Sequence, residues 1–441
     1  MTAAHDATIF ALSTPRGRSA LAVVRVSGPG ARSALAALTG GQELKPRVAT
    51  LALLKSPGSG VLLDQALVLW FPAPASFTGE DMAEFHLHGG RAVIAGVLEA
   101  LAALTGFSPA EPGDFTRRAF LCGKLDLSQA EGLADLIDAE TDAQRRQALR
   151  LQGGALAALT ESWRQDLIAL MALAEAEIDF PDEDLPDGLA QDIATRGAFL
   201  LATLDRHLNS ARHGERIRDG YRVALIGVPN AGKSSLMNAI AAREVAIVTE
   251  RAGTTRDILE VHLDLGGYAV TLADMAGLHD AADAVEAIGI ARARDWAAKA
   301  DLRVILIPPG GVLTDELAAL RRTGDILCAS KADLDAGRPE GDAMPVSAVT
   351  GAGLGVLLDR MTARVDADLG AGEPALVTRL RHRLALEETR TALARALAVG
   401  QRAELRAEDF RMAARALARI TGRVDVEDVL DALFGALCIG K

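Results

Sequence analysis

At 441 residues, the chain is long enough for two to four domains, each with a core of its own. Its composition, 49% hydrophobic, 24% charged and 4% aromatic, excludes wholesale disorder and is typical of alanine- and leucine-rich helical proteins. The formal net charge of −12 argues against a protein that coats nucleic acid non-specifically.

The amino-terminal region alternates short apolar runs with turns, which predicts an α+β domain over residues 1–121. Leu21–Val26 and Gln65–Phe71 are two of these runs, and each is followed by a turn that contains proline. From residue 122 to residue 219 the pattern is helical, with one interruption at Asp179–Asp184. We expect this stretch to be the first segment of a helical domain.

Four apolar runs separated by helical patterns follow in residues 220–369: Arg222–Ile226, Val270–Leu272, Leu302–Ile307 and Ile326–Cys328. This alternation is typical of a parallel sheet with crossover helices. Residues 370–441 are helical again, and apolar residues recur there at helical spacing, namely Leu384, Leu386, Leu393 and Leu397. We expect this segment to pack against the earlier helices, so that the α/β domain is an insertion into a split helical domain.

The sequence predicts neither export nor a membrane segment. The start, Met1–Arg16, has no basic region ahead of an apolar core, and no later stretch is apolar for long enough to span a bilayer. Cys122, Cys328 and Cys438 lie far apart without a Cys-x-x-Cys pair, so neither a disulfide framework nor a zinc site is indicated. We therefore expect a cytoplasmic protein that uses no membrane.

A phosphate-binding loop is predicted at Gly227-Val-Pro-Asn-Ala-Gly-Lys-Ser234, which matches G-x-x-x-x-G-K-[ST] between a predicted strand and a predicted helix. The glycines let backbone N–H groups close around a β-phosphate at the positive end of the helix. Lys233 would reach the β- and γ-phosphates, and the Ser234 hydroxyl would bind Mg²⁺. The competing interpretation, a chance glycine-rich turn, is disfavoured by the order of strand, loop and helix.

Further motifs follow in the order that GTPases show, at Gly253–Asp257, Asp274–Gly277, Ser330–Asp333 and Ser347–Ala348. Thr255 is the predicted second Mg²⁺ ligand, Asp274 would hold the metal indirectly, and Gly277 would offer its N–H to the γ-phosphate. Asp333 would read the N1–H and amino groups of guanine, with Ser330 in place of the usual asparagine. Together the motifs predict a Ras-like P-loop G domain with a mostly parallel sheet. Its predicted GTP contacts are Asn230, Ala231, Gly232, Lys233, Ser234, Ser235, Thr249, Glu250, Arg251, Ala252, Gly253, Thr254, Thr255, Asp274, Met275, Ala276, Gly277, Ser330, Lys331, Asp333, Ser347 and Ala348.

The group that orients the attacking water is not the usual glutamine, because Leu278 stands at that position. Glu286 lies a few residues further on and can reach the water, although a solvated glutamate on a helix face fits the sequence equally well. No arginine finger can be assigned within the chain, so a monovalent cation is the predicted source of charge stabilisation. Its candidate ligands are Asn230 and the loop Thr249–Thr254, and the competing cationic groups are Arg251 and Arg256.

Several other segments carry a resemblance to a known family: Thr14–Arg18 with Arg25–Gly28, Ser76–Asp81 running into His88–Gly90, Pro112–Phe120, and the terminal Cys438-Ile-Gly-Lys441. They resemble the MnmE, or TrmE, family of tRNA modification GTPases over essentially the whole chain. The resemblance implies an N-terminal α+β domain that dimerises and binds tetrahydrofolate, a split helical domain, and a G domain activated by potassium-dependent dimerisation. It also implies that the chain and its FAD-dependent partner MnmG add an aminomethyl or carboxymethylaminomethyl group to C5 of the wobble uridine, U34, of certain tRNAs.

The same resemblance implies roles for individual residues. The potassium ligands would be Asn230, Thr249, Thr254 and the backbone of Arg251, and the catalytic glutamate would be Glu286. Lys233 of the phosphate-binding loop is the other expected catalytic residue. The contacts to 5-formyltetrahydrofolate, or to another tetrahydrofolate one-carbon donor, would be Arg25, Glu84, Lys124 and Lys441. Without the resemblance, Arg25 and Lys124 fit ordinary surface ion pairs better. The sequence departs from the family pattern at Ser330, Met275 and Leu437.

Other interpretations stay open at this point. Cys438 is either a thiol used in the modification chemistry or a small buried hydrophobe that anchors the tail. His86 and His88 lie among the folate-site residues but receive no catalytic role. A ribosome-assembly GTPase of the Era or Der kind would carry a KH-type Gly-x-x-Gly segment or a second P-loop, and neither occurs in the sequence. A dimer switch that performs no chemistry on RNA is the remaining alternative.

Overall fold

The computed structural model describes residues 7–179, 189–243, 245–247, 260–275, 295–334, 342–370, 375–424, 433–435 and 440. The chain forms two compact units, of which the first contains residues 1–134, 152–175 and 407–441 and the second contains residues 135–151 and 176–406. Within the described residues, no helix is long and apolar enough to cross a membrane.

The first unit contains a six-stranded sheet in the order β3-β4-β5-β2-β1-β6. Neighbouring strands are antiparallel except β1 and β6, which are parallel. The strands are β1 (Thr8–Leu12), β2 (Ser19–Ser27), β3 (Thr50–Lys55), β4 (Leu62–Phe71), β5 (Met82–Gly89) and β6 (Phe107–Pro109), and the helices that follow them in sequence are α1 (Ala31–Thr39), α2 (Arg91–Ala102) and α3 (Asp114–Leu121). The predicted runs Leu21–Val26 and Gln65–Phe71 lie within β2 and β4.

The sheet of the first unit has one core face and one open face. Alternate residues point to opposite faces of a strand, and in β5 Ala83, Phe85 and Leu87 are almost completely buried while Glu84 and His86 are only partly buried. We call the second face the open face. Phe77 and Phe115 pack with Ile9 and Ala11 of β1, which covers that end of the face. At the other end four leucines are 43–57% exposed, namely Leu21, Leu51, Leu53 and Leu67.

The second unit contains another six-stranded sheet, in the order β12-β11-β10-β7-β9-β8, and only β8 runs antiparallel to its neighbour. The strands are β7 (Tyr221–Gly227), β8 (Glu260–Leu265), β9 (Tyr268–Asp274), β10 (Leu302–Ile307), β11 (Ile326–Ala329) and β12 (Met344–Pro345), and the helices that follow β7, β10 and β12 include α8 (Lys233–Ala241), α9 (Asp315–Leu320) and α10 (Leu354–Leu369). Apolar residues are buried on both faces of this sheet, which explains the continuous apolar runs in its sequence.

The remaining helices are α4 (Leu127–Asp138), α5 (Asp142–Gln152), α6 (Ala155–Asp179), α7 (Leu189–Asp219), α11 (Leu380–Ala396) and α12 (Ala403–Thr421). In the second unit α11 packs along α7, as expected for a helical segment that returns to the earlier helices. Leu386 and Leu393 are buried in this packing, whereas Leu384 is 46% exposed because it lies on the outer side of α11.

One carboxylate joins the two ends of the segment that contains the second sheet. Arg218 lies in the last turn of α7, just before β7, and Arg379 directly precedes α11. Asp135 Oδ1 accepts hydrogen bonds from Arg218 Nε at 2.9 Å and from Arg379 Nη2 at 2.6 Å. The chain therefore enters and leaves this segment at a common ion-pair cluster.

Candidate functional site

The phosphate-binding motif forms a tight loop between β7 and α8. Asn230 and Gly232 have φ values of 58° and 93°, so the loop uses the left-handed region at both positions. Gly227 packs closely on β10, where a Cβ atom would stand 2.7 Å from the carbonyl oxygen of Leu306. Because α8 begins at Lys233, the unpaired N–H groups of its first turn face the same loop. This backbone is the anion-binding arrangement that the motif predicts.

Lys233 lies over the loop that precedes it. Its Nζ donates hydrogen bonds to the carbonyl oxygens of Gly227 at 2.9 Å and Val228 at 3.3 Å. The residue is 8% exposed, and burial lowers the pKa of its ammonium group, while the nearby Asp274 carboxylate opposes that shift. An ammonium group in this position is poised to exchange carbonyl oxygens for phosphate oxygens.

Ser234 and Asp274 meet at the carboxyl edge of the sheet. The Ser234 hydroxyl donates a hydrogen bond to Asp274 Oδ2 at 2.6 Å. Asp274 is 4% exposed, and its Oδ1 is buried without a hydrogen-bond partner among the described residues. Buried carboxylate oxygens normally have partners, so this oxygen marks a position that fits a water of a hydrated cation. A serine hydroxyl beside a carboxylate is the oxygen donor set that Mg²⁺ prefers.

The predicted base-recognition residues come from the loops after β11 and β12. Asp333 Oδ1 accepts a hydrogen bond from Ser347 Oγ at 2.6 Å, and this bond is the main cause of the lowered pKa of the Asp333 carboxyl. Ser347 Oγ in turn accepts hydrogen bonds from the N–H groups of Val349 and Thr350 at 3.2 and 3.1 Å. The carboxylate is thus ionised and held in one orientation.

Ser330 and Lys331 connect this region to the sheet and to the phosphate-binding loop. The hydroxyl and N–H of Ser330 both donate to the carbonyl oxygen of Ile307, at 3.3 and 2.9 Å. Lys331 has a φ of 55°, and its Cε lies 3.9 Å from the position that a Cβ of Gly232 would take. Ser330 therefore anchors the loop to β10 by its hydroxyl, where the family pattern has an asparagine amide.

The other predicted nucleotide contacts fall into two groups. Ala231 and Met275 are fully buried and have packing roles, while Ser235 is exposed and Ala348 is half-buried. At Met275, where the sequence departs from the family pattern, the side chain is therefore part of the core. The predicted contacts outside the described residues are Thr249, Glu250, Arg251, Ala252, Gly253, Thr254, Thr255, Ala276 and Gly277, and so are Glu286, Arg256, Leu437, Cys438 and Lys441.

A second polar cluster lies on the open face of the first unit. Arg25 of β2 and Glu84 of β5 are directly opposite in the sheet register, and Glu84 Oε1 accepts from Arg25 Nε at 3.1 Å and from Arg25 Nη2 at 3.0 Å. The side chains are 22% and 17% exposed, so this pair is more buried than an ordinary surface ion pair. The guanidinium carbon also lies 5.5 Å from the Phe77 ring centroid and 5.8 Å from that of Phe115.

The chain terminus reaches this cluster. The carbonyl oxygen of Gly440 accepts a hydrogen bond from Ser13 Oγ at 3.0 Å and lies 3.5 Å from Arg25 Nη1. A Cβ at Gly440 would stand 2.5 Å from the carbonyl oxygen of Leu12, so only glycine fits this approach. The penultimate residue therefore contacts the N-terminal sheet, as expected for the tail.

Lys124 has a different immediate partner. Its Nζ donates to the carbonyl oxygen of Pro74 at 3.1 Å, and its side chain packs on Gly79. Pro74 and Gly79 lie on either side of Phe77 in one loop, so Lys124 and Arg25 contact the same loop. The structure thus brings Arg25 and Glu84 into direct contact and connects Lys124 to them through this loop.

Two further groups near this cluster received no role in the site from the sequence. His86 bonds Glu84, with Nε2 3.1 Å from Glu84 Oε2; alternation in β5 places the two on one face, and that spacing was the available signal. Arg118 Nη1 donates to Glu80 Oε2 at 2.8 Å in a nearly buried pair that fixes the loop of Phe77. Glu80 belongs to the segment Ser76–Asp81, so some residues of that motif are structural.

Comparisons with known proteins cover the whole chain. Residues 8–124 match the family described as GTP-binding protein TrmE N-terminus, and residues 127–438 match the family described as MnmE helical domain. The tRNA modification GTPase MnmE of Parvibaculum lavamentivorans is 53% identical over 98% of this chain and 100% of its own length. The protein of the same name from Methylobacterium sp. is 52% identical over 98% of this chain and 99% of its own length.

Solved structures match a smaller portion of the chain. The G domain of the T. maritima FeoB iron transporter is 26% identical and covers 33% of this chain and 98% of its own, with a TM-score of 0.27.

Proposed function

We propose a detailed function from one premise, which is that the chain belongs to the MnmE, or TrmE, family of tRNA modification GTPases. The chain is therefore a GTP hydrolase that acts in tRNA modification, and a GTPase of this family uses Mg²⁺ with its nucleotide. One observation supports the detailed proposal. The chain combines the phosphate-binding loop with the Ser234–Asp274 pair, and it has a separate cluster around Arg25 that Gly440 contacts.

In the nucleotide site, Lys233 binds phosphate oxygens by releasing the loop carbonyls, and the first turn of α8 supplies N–H groups to the β-phosphate. Ser234 would hold Mg²⁺ directly, and Asp274 would hold it through water at Oδ1. Bound there, Mg²⁺ supplies charge neutralisation between the β- and γ-phosphates. Asp333, fixed by Ser347, receives the N1–H and amino groups of guanine, which adenine does not offer.

Hydrolysis further requires a group that orients water and a cation that stabilises the developing charge. We propose Glu286 for the first role and a potassium ion for the second, with Asn230, Thr249, Thr254 and the Arg251 backbone as ligands and Thr255 as the second Mg²⁺ ligand. Support comes from Leu278, which cannot orient water, and from the left-handed Asn230 in the phosphate-binding loop.

Two rates test the proposed hydrolytic groups. GTP hydrolysis by the full chain should be faster in KCl than in NaCl at equal ionic strength, because the smaller sodium ion fits a different set of oxygen distances. Glu286→Ala should nearly abolish hydrolysis in KCl and leave the GTP Kd almost unchanged. Equal rates in the two salts would refute the role of potassium and favour Arg251 or Arg256 as the stabilising cation. A fully active Glu286→Ala enzyme would refute the catalytic role of the glutamate.

Arg25 and Glu84 of the open face, together with Lys124 and Lys441, would bind 5-formyltetrahydrofolate or another tetrahydrofolate one-carbon donor. Arg25 and Lys124 are cations suited to the glutamate tail of the folate, and Glu84 accepts hydrogen bonds from ring N–H groups. The nearby Phe77 ring, which is partly exposed, adds apolar surface that suits a planar heterocycle.

We propose that a second copy of the chain covers the rest of the open face. Leu21, Leu51, Leu53 and Leu67 expose between 43% and 57% of their surface on one side of the sheet. Exposed leucines gathered on one side of a sheet favour an interface over a solvated face. A homodimer through the N-terminal domain would bury these leucines and enclose a folate bound beside Arg25.

The complete reaction, in this proposal, is the addition of an aminomethyl or carboxymethylaminomethyl group to C5 of U34 in certain tRNAs, together with the FAD-dependent partner MnmG. Mass spectrometry of tRNA nucleosides tests it in a strain that lacks the gene. The modified uridine should disappear and should return when the intact gene is supplied. Unchanged tRNA nucleosides would instead favour a nucleotide-dependent dimer switch that performs no chemistry on RNA.

A further inference from the structure

We infer that His86 is a positioning residue of the folate site, since its ring fixes the oxygen of Glu84 that receives the ligand. The inference rests on the proposed folate site. His86 lies two positions along β5 from Glu84, on the open face. The sequence assigned it a place near the folate site but no role there.

The carboxylate of Glu84 has one oxygen that is already saturated. A carboxylate oxygen offers about two acceptor positions, and Oε1 uses both of them for Arg25, at Nε and Nη2. Oε2 accepts from His86 Nε2 at 3.1 Å, which leaves one acceptor position on that oxygen. A ring N–H of a ligand therefore has to approach Oε2, the oxygen that His86 contacts.

The surroundings of His86 favour this contact over others. Its cross-strand neighbours in the sheet register are Val23 of β2 and Leu67 of β4, and neither side chain offers a hydrogen-bond partner. The imidazole is 26% exposed, so it is neither free in solvent nor locked in the core. Because Oε2 only accepts, the tautomer that satisfies the contact carries its proton on Nε2.

Removal of this donor would leave only one side of the carboxylate held. Arg25 bonds only to Oε1, so the carboxylate of Glu84 could rotate while that bond is kept. Oε2 would then leave the position in which it accepts a hydrogen bond from the ligand. Ordering such a group at the moment of binding lowers affinity. His86 thus acts before the ligand arrives, by keeping Oε2 in its receiving orientation.

His88 provides a matched control on the same face. It lies two residues further along β5 and bonds Asp64 rather than Glu84, with Nδ1 2.8 Å from Asp64 Oδ1. Its side chain is 74% exposed. The same substitution at the two histidines therefore removes an imidazole from one face of one strand in both cases, but only one change affects Glu84.

Calorimetric titration of the purified full chain with 5-formyltetrahydrofolate tests the inference. His86→Leu should raise the Kd about tenfold, because a hydrogen bond to a charged acceptor is lost. His86→Gln, whose amide nitrogen can take the place of Nε2, should stay within about threefold of the parent protein. His86→Asn, whose amide is too short to reach, should behave like His86→Leu, and His88→Leu should bind like the parent.

A double-mutant cycle separates positioning from packing. In the Glu84→Ala background, His86→Leu should have little further effect on the Kd, because the group that His86 contacts is gone. The rate of GTP hydrolysis and the far-ultraviolet circular dichroism spectrum report whether each variant is folded.

Each remaining outcome has a definite meaning. An unchanged Kd for a folded His86→Leu protein overturns the positioning role, and so does equal weakening by His86→Gln and His86→Leu, since rescue by an amide donor is then absent. If His86→Leu fails to fold, the comparison of His86→Gln with His86→Asn decides the same question. A parent protein that does not bind 5-formyltetrahydrofolate refutes the proposed folate site itself, which is a separate result.

Discussion

At the scale of single residues, the nucleotide site depends on polar side chains that hold other polar side chains. Ser347 donates to Asp333, and Ser234 donates to Asp274, each at 2.6 Å. Each serine hydroxyl donates to the neighbouring carboxylate, so each carboxylate is held in one orientation. Such pairs reduce the ordering that binding would otherwise require.

Replacement of Ser347 by alanine tests this view of the base-recognition loop. Ser347→Ala removes the donor to Asp333 and the acceptor for the N–H groups of Val349 and Thr350, so the loop and the carboxylate both lose order. We expect the GTP Kd to rise about threefold to tenfold and the preference for GTP over ATP to fall. Fluorescent nucleotide titration measures both quantities.

Thr350→Ala is the matched control, because the Thr350 hydroxyl accepts only a long bond from Ala352 N at 3.4 Å on the exposed side of the same loop. Its nucleotide affinity should equal that of the parent protein. If Ser347→Ala bound GTP with unchanged affinity and selectivity, the hydroxyl would have no role in base recognition.

The sequence predicted where site residues lie when a motif fixes the local geometry. It did not predict which side chains bond to each other. The order of motifs anticipated that Ser234 and Asp274 would lie at one sheet edge, because parallel strands present their carboxyl ends together. By contrast, Glu84 meets Arg25 across 59 residues of sequence through sheet register. The bond from Ser330 to Ile307 likewise depends on how two strands pack, which no local pattern encodes.

At the scale of helices and strands, the sequence predicted buried elements better than elements with one exposed face. β10 was predicted with its observed bounds, Leu302–Ile307, because burial on both faces leaves a run that is apolar except for the buried Arg303. β5 was not among the runs identified, since its open face carries Glu84, His86 and His88 between core residues. The exposed Leu384 in α11 shows that helical spacing alone does not say which leucines are buried.

Two glycines in helices provide a prediction at this scale. A Cβ at Gly214 in α7 would lie 2.3 Å from the carbonyl oxygen of Val377, a backbone atom that cannot turn aside. Gly214→Ala should therefore lower the free energy of unfolding by about 1–3 kcal/mol. Gly355 in α10 has open space around the same position, so Gly355→Ala should be neutral or should stabilise by up to about 0.5–1 kcal/mol.

Urea unfolding followed by circular dichroism measures the difference between the two variants. The contrast matters more than either value, because both substitutions add one methyl group to a helix. Equal stabilities for Gly214→Ala and Gly355→Ala would mean that α7 and the segment before α11 are not in close contact in solution.

At the scale of the whole molecule, the chain carries two chemically different sites. The nucleotide site lies in the second unit, and the Arg25 cluster lies in the first unit together with the terminal Gly440. The terminal residues belong to the first unit although they follow the second sheet in sequence. We therefore expect a change at the end of the chain to affect the proposed folate site and to leave GTP hydrolysis intact.

Deletion of residues 438–441 should abolish wobble-uridine modification and weaken 5-formyltetrahydrofolate binding, while potassium-stimulated GTP hydrolysis stays largely intact. The reason is that Gly440 contacts Ser13 and Arg25 in the first unit, whereas Lys233 and Asp274 lie in the second. Assays of both activities on the truncated protein measure the effect. A loss of GTP hydrolysis in proportion to the loss of modification would show that the tail serves the G domain or overall folding.

The carboxylate of Asp135 has a consequence for how the second sheet can move. Arg218 and Arg379 bracket the sheet in sequence, and both donate to the same oxygen. Because both arginines bind one oxygen, a displacement at one end of the segment is passed to the other end through Asp135. If the second sheet rearranges when a nucleotide binds, we expect Arg218 and Arg379 to move together, because Asp135 holds both of them. Loss of the Asp135 carboxylate would remove this shared link, and the two ends of the segment would then be held together by the packing of α11 along α7.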